Sequence, residues 1–127
     1  MNRSFYGIVR GMSMWPSLLP GELVRAVETD ASSLEPGEIV VLEDGGRPFI
    51  HRFVRYTRSR GFPRLLHSAG DYSGPDSARL VPRTVLAGVE VLRSGRWRRV
   101  PGNRAIFGMV PFRVAVLAAR LLLRITK

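Results

Sequence analysis

Apolar residues in this chain recur mostly at every second position, in short runs bounded by glycine and proline, which is the spacing of half-buried strands. The clearest run covers residues 48–57. A period of two places Phe49, His51, Phe53 and Arg55 on one face and Ile50, Arg52, Val54 and Tyr56 on the other. Asp44-Gly45-Gly46 just before it predicts a hairpin. Pro20-Gly21 and Pro36-Gly37 each supply a turn, and the aliphatic residues after them predict strands over 22–27 and 38–42. The sixteen-residue echo does not recur, so it marks similar turns rather than a repeat protein. Further strands are predicted over 61–68, over 84–92, where Gly88 permits a bend or bulge, and over 97–100. Residues 1–10 are short and mixed, with no element assigned. At least six short strands imply a mostly β domain with long-range pairing.

The end of the chain has a different pattern. From Pro111, a suitable first helical residue, to Ile125 the sequence predicts a helix. Arg113, Arg120 and Arg124 form a narrow stripe on it, and nearly everything else is Val, Leu, Ala or Phe. This divides the chain into a β domain over 1–104 and an apolar, arginine-striped helix within 105–127. Such a helix suits an anionic membrane interface, with arginines reaching the headgroups, or packing on the β domain.

At 127 residues the chain is one domain, large enough to bury a core without staples. It has no cysteine, which excludes a disulfide framework, a thiolate metal site and a cysteine nucleophile. The net charge of +10 raises nucleic acid or an anionic surface as a partner. The arginines are scattered, however. Their densest patch, Arg93, Arg96, Arg98 and Arg99 around Trp97, reads as a solvated hairpin, and no helical reader or aromatic-studded motif accompanies it. No specific nucleic acid is expected.

One residue count carries chemical weight. Among 19 arginines there is a single lysine, Lys127, at the terminus. A lysine acts as a general base only on a rigid, desolvated element, which a frayed terminus does not offer. Any base is therefore a carboxylate or one of the histidines, His51 and His67. Ser13, His51 and a carboxylate in the run Gly70 to Asp76 are the minimum parts of a serine nucleophile, its proton acceptor and the group that orients the acceptor. Pro16 biases Trp15 away from helical angles, which leaves Ser13 in an extended or turning segment with its hydroxyl available. His51 between two phenylalanines has either a core role, satisfied by a backbone carbonyl, or the role of a base in an apolar wall. The lysine argument favours the base. Asp71 and Asp76 both suit the orienter, and Asp71 is equally suited to pinning the loop through an Asx-turn. His67 is assigned to structure.

The Ser-Met-x-Pro core at Ser13 to Pro16, Ile50-His51-Arg52-Phe53-Val54, and Gly70-Asp71 with Asp76 resemble motifs of the signal peptidase I family, in the branch that uses histidine where others use lysine. The resemblance spans residues 11–92. The self-cleaving repressors of the LexA type share the Ser-Met-x-Pro core but are Ser/Lys enzymes. The resemblance implies a coiled β-barrel-type catalytic core, a serine endopeptidase acting through an acyl-enzyme on Ser13 with His51 as base, and Asp76 ahead of Asp71 as orienter. It also implies an oxyanion and substrate region at Gly11, Met12 and Met14, with no cofactor and no metal. Gly11 stands where many relatives carry a serine donor to the oxyanion. Most relatives also have a membrane anchor before the nucleophile, and residues 1–10 are too short and polar for one. The expected partner is a precursor peptide or protein carrying a leader or signal segment, laid along an edge strand with small residues near the cut. The expected location is a membrane surface, reached through 105–127, or otherwise the cytoplasm. Two other classes stay open: a catalytically silent peptide-binding module of the same fold, and a basic nucleic-acid-binding domain.

Overall fold

In the computed structural model, which describes residues 3–100, the chain is mostly β. The strands are β1 (Ser4–Ile8), β2 (Leu23–Asp30), β3 (Ile39–Asp44), β4 (Arg47–Thr57), β5 (Leu65–Gly70), the two-residue β6 (Gly74–Pro75) and β7 (Arg79–Leu80), β8 (Thr84–Arg93) and β9 (Arg96–Arg99). All belong to one antiparallel sheet in the order β1-β2-β8-β3-β4-β5-β6, with β7 on β5 and β9 on β8. A single turn of 3-10 helix, Ala31–Ser33, follows β2, and Asp30 caps it by accepting from the Ser32 N–H. The helix expected within 105–127 lies outside the described residues. Among those described, no helix is long and apolar enough to cross a membrane.

The glycine-marked turns form as predicted. Gly45 and Gly46, at φ 58° and 80°, close the two-residue hairpin between β3 and β4, a conformation that suits the right-handed twist of paired strands. At Gly88, φ is 60° and the pairing of β2 with β8 shifts register, so the bend expected there is a bulge.

Three expectations need correction. The strand expected from residue 61 begins only at Leu65, because Gly61 has φ 82°, the Phe62 N–H turns back to the Ser59 carbonyl, and Pro63 has no N–H to give the ladder. The strict alternation expected along residues 48–57 fails after Phe53. A bulge between Phe53 and Arg55 reverses the faces, so Tyr56 packs beside Phe53, with ring centroids 4.6 Å apart, instead of sharing the side of Ile50 and Arg52. Residues 4–8, given no element, form the edge strand β1, paired along its length with β2. Its pattern hid it: Tyr6 and Ile8 are apolar yet 61% exposed.

The sheet buries apolar residues in two clusters. Ile39 and Val41 of β3 join Met14, Leu18, Val24, Val89 and Val91 in one cluster, while Val40 and Leu42 join Phe53, Leu66, Val85 and Ala87 in the other. A strand buried on both faces explains why residues 39–42 read as a continuous apolar run. Fully burying a side chain such as Leu18 or Val24 is worth about 1.5–3 kcal/mol. Met14 and Leu18 thereby anchor the segment that carries Ser13.

Candidate active site

Three segments meet at one place: the turn-rich stretch holding Ser13, the middle of β4 holding His51, and the loop from Gly70 to Asp76. Each is tied to the others by the backbone or by a buried side chain. The Tyr72 N–H donates to the Ser13 carbonyl at 2.8 Å, and the Asp76 N–H to the Ser68 carbonyl at 2.9 Å. Gly70 sits between the parts. A methyl there would collide with the Ser73 hydroxyl and lie 2.7 Å from the Ser13 carbonyl oxygen and 3.1 Å from His51 Nε2, so the last two atoms are no farther apart than the two distances laid end to end. Only glycine leaves room for this approach.

Asp76, and not Asp71, meets His51. Asp76 Oδ2 lies 2.6 Å from His51 Nδ1, and the same oxygen accepts the Ser68 hydroxyl at 2.6 Å. A carboxylate at that nitrogen places the ring proton on Nδ1 and leaves Nε2, the nitrogen beside the Ser13 segment, as the acceptor. Both side chains are largely buried, at 10% and 20% exposure. Phe49 meets the His51 ring edge-on with centroids 4.9 Å apart, which accounts for one wall of the predicted apolar setting. Phe53 is buried in the cluster on the same side. No hydrogen bond joins the Ser13 and His51 side chains among the described residues. Such contacts commonly tighten only once substrate is bound.

Asp71 has a different task from the orienting one considered for it. It is clamped by Arg52, with Nε to Oδ1 at 2.7 Å and Nη2 to Oδ2 at 3.1 Å. Arg52 is 1% exposed and also donates to the Gly37 carbonyl at 2.9 Å and to Ser17 Oγ at 3.1 Å, while the Ser17 hydroxyl donates to Asp71 at 2.5 Å. A bidentate arginine–carboxylate pair with further hydrogen bonds to the arginine is the arrangement in which a buried charge is tolerated. It joins β4, the Pro36-Gly37 turn, the stretch after Ser13 and the 70–76 loop. Sequence reasoning missed Arg52, Ser17 and Ser68. The available signal was Arg52 itself, a charged residue next to His51 in an apolar strand.

A second tie holds the far end of the Ser13 segment. Arg93 donates to both oxygens of Glu22, at 2.6 and 2.8 Å, and to the Ser17 carbonyl at 2.9 Å. The Arg93 hydrogen bonds hold the Glu22 carboxyl below its ordinary 4.5, outweighing desolvation, with help from the Leu19 N–H. The arginine patch around Trp97 is therefore partly engaged: Arg93 is paired, and Arg25 covers the Trp97 ring at 4.3 Å.

The remaining candidates are dispersed. Gly11 has φ 74° and a methyl there would meet open space. The Met12 carbonyl accepts the Trp15 N–H at 3.0 Å. Met14 is 2% exposed and belongs to the core, touching the site only from beneath. His67 Nε2 lies 2.6 Å from Thr57 Oγ1, opposite Arg55 on the β4–β5 pair and away from Ser13.

Beside Ser13 runs an open groove of about 710 Å³, walled by residues 5–10 of the β1 segment and by residues 47–50 of β4. Among the described residues, both walls offer unpaired strand edge. β1 ends the sheet order, and β5 pairs with β4 only from Arg52 onward. A second depression, about 510 Å³, lies between Arg3 and Arg79 and contains no residue of the site. No group of three or more metal-ligating side chains occurs among the described residues. The chain matches no family profile, no curated protein and no solved structure.

Proposed function

We propose that this chain is a serine endopeptidase of the signal peptidase type, with the coiled β-barrel core of that family, cleaving a leader or signal segment from a precursor. Ser13 Oγ attacks the scissile carbonyl carbon while His51 Nε2 takes its proton. The proton then passes to the leaving amine, whose departure yields the acyl-enzyme. Water, deprotonated by the same nitrogen, attacks the ester and frees Ser13. Asp76 keeps the Nδ1–H in place and stabilises the imidazolium. The Ser13 backbone N–H is the first oxyanion donor. Substrate lies in the groove as an added strand, its main chain bonding to the free edges of β1 and β4.

The observation that carries this reading is the His51–Asp76 contact of 2.6 Å, whose geometry leaves Nε2 on the Ser13 side, packed against Gly70. The silent-module alternative predicts the same fold without chemistry. Incubation with a serine-reactive acylating probe, read by intact mass, separates the two. One adduct is expected on the natural chain and none on Ser13→Ala or His51→Ala of unchanged circular dichroism. Equal labelling of Ser13→Ala, or no labelling or peptide cleavage by any form, rejects the proposal.

A further inference from the structure

Two cations stand over the groove and have no partner there. Arg10, just beyond β1, and Arg47, the first residue of β4, both line it and both are exposed. Among the described residues neither side chain makes an ion pair or hydrogen bond. No acidic side chain lines the groove. Asp44 is the residue opposite Arg47 across the hairpin, yet no ion pair joins them. Outside the groove Arg25, Arg52 and Arg93 are ion-paired, by Glu90, Asp71 and Glu22, while others such as Arg60 have no ion pair among the described residues. What sets Arg10 and Arg47 apart is that both line the groove. The chain has ten acidic residues, and none of them lines the groove.

From this we infer that the groove selects peptides carrying aspartate or glutamate on one flank of the cut, recognised by Arg47 and Arg10. This rests on the endopeptidase reading above and names its substrate class. The spacing sets the position. Arg47 precedes His51 by four residues on one strand, about 13 Å at roughly 3.3 Å per residue, so its acidic partner lies three to four extended residues from the scissile bond. Arg10 precedes Ser13 by three residues and meets an acidic residue nearer the cut. Guanidinium groups at a rim are well suited to this, because planar paired donors match a carboxylate and exposed charges govern selectivity and encounter more than tightness.

The test profiles cleavage of a peptide library randomised on both flanks, using the full chain, Ser13→Ala, Arg47→Glu, Arg10→Glu and Arg60→Glu. Arg60→Glu, on the exposed β4–β5 turn, makes the same change in net charge away from the groove. Expected is a roughly three- to tenfold enrichment of Asp and Glu at the stated position, weakened by raising salt. Arg47→Glu should turn it into a preference for Lys and Arg, while Arg60→Glu should leave it intact. Ser13-dependent cleavage with no acidic preference, or with a preference that Arg60→Glu shifts as much as Arg47→Glu, overturns this inference and leaves the peptidase standing. Absence of any Ser13-dependent cleavage overturns both. Binding of a labelled acidic decapeptide and its neutral amide counterpart to Ser13→Ala reads the same selectivity without turnover. Equal affinity would contradict it.

Discussion

His51 and Arg52 are consecutive on β4 and point to opposite sides of the sheet, and each takes one carboxylate from the same short loop. The Arg52–Asp71 pair is bidentate, nearly inaccessible, and shares donors with Ser17 and Gly37. The His51–Asp76 pair is a single contact, shares Ser68, and leaves the other ring nitrogen beside the Ser13 segment. One pair spends both members on several partners within the protein. The other keeps one atom in reserve. That difference separates a clamp from a pair suited to the proposed chemistry more sharply than residue type does, since both pairs are a cation-forming side chain against an aspartate.

The comparison breaks most visibly in activity. Asp76→Asn should lower cleavage by about 10⁴-fold, because the amide N–H facing Nδ1 favours the wrong tautomer, while stability changes by only about 1 kcal/mol. Steady-state kinetics with a chemical melt of the same sample checks both. Next is the clamp. Arg52→Ala should cost about 3–5 kcal/mol, because it leaves Asp71 buried without its counter-charge. Urea unfolding measures this, and Arg52→Met combined with Asp71→Leu should recover part of the loss. If Asp71→Asn instead ended cleavage in a fully stable protein while Asp76→Asn only softened the fold, the two roles assigned here would have to be exchanged.

Gly70 belongs to both halves, so Gly70→Ala sharpens the contrast. The added methyl would run into the Ser73 hydroxyl first and also press on the Ser13 carbonyl and His51 Nε2 at 2.7 and 3.1 Å. Overpacking of this kind should cost about 1–3 kcal/mol and reduce cleavage as well, seen by thermal melting and by rate. The smallest effect concerns Glu22. Its carboxyl is held below 4.5 in the folded chain, so its contribution is fully present above that value and fades as the pH falls through the lower folded one. Because Arg93 is 42% exposed, Glu22→Gln should cost no more than about 1 kcal/mol at neutral pH. Melting curves of the two forms should converge in acid; a gap unchanged at pH 3 would contradict the assignment.

Much of this was legible beforehand. The hairpin at Gly45-Gly46, the bulge at Gly88 and most strands follow from turn chemistry and alternation, which act over a few residues. β1 was not legible, because its inward face has only Phe5 and Gly7, half-buried, while apolar Tyr6 and Ile8 lie on the exposed face, so no apolar alternation marks the strand. Nor was the reversal after Phe53, since a bulge needs a partner strand to be defined.

The candidate site divides in the same way. Composition offers one lysine, Lys127, and two histidines as nitrogen bases; the motifs and the resemblance they carry then pick out Ser13, His51 and two aspartates as the parts. Which aspartate meets the histidine was decided only in three dimensions. Asp71 and Asp76 lie five positions apart in one flexible-looking loop, and local spacing satisfies either choice. The choice was made by the pairing of β5 with β4, which sets Ser68 behind Asp76, and by the buried charge of Arg52, which required a carboxylate of its own and took Asp71. Short-range preferences are written in neighbouring residues, whereas a contact between residues 25 positions apart depends on register and on what else must be neutralised nearby.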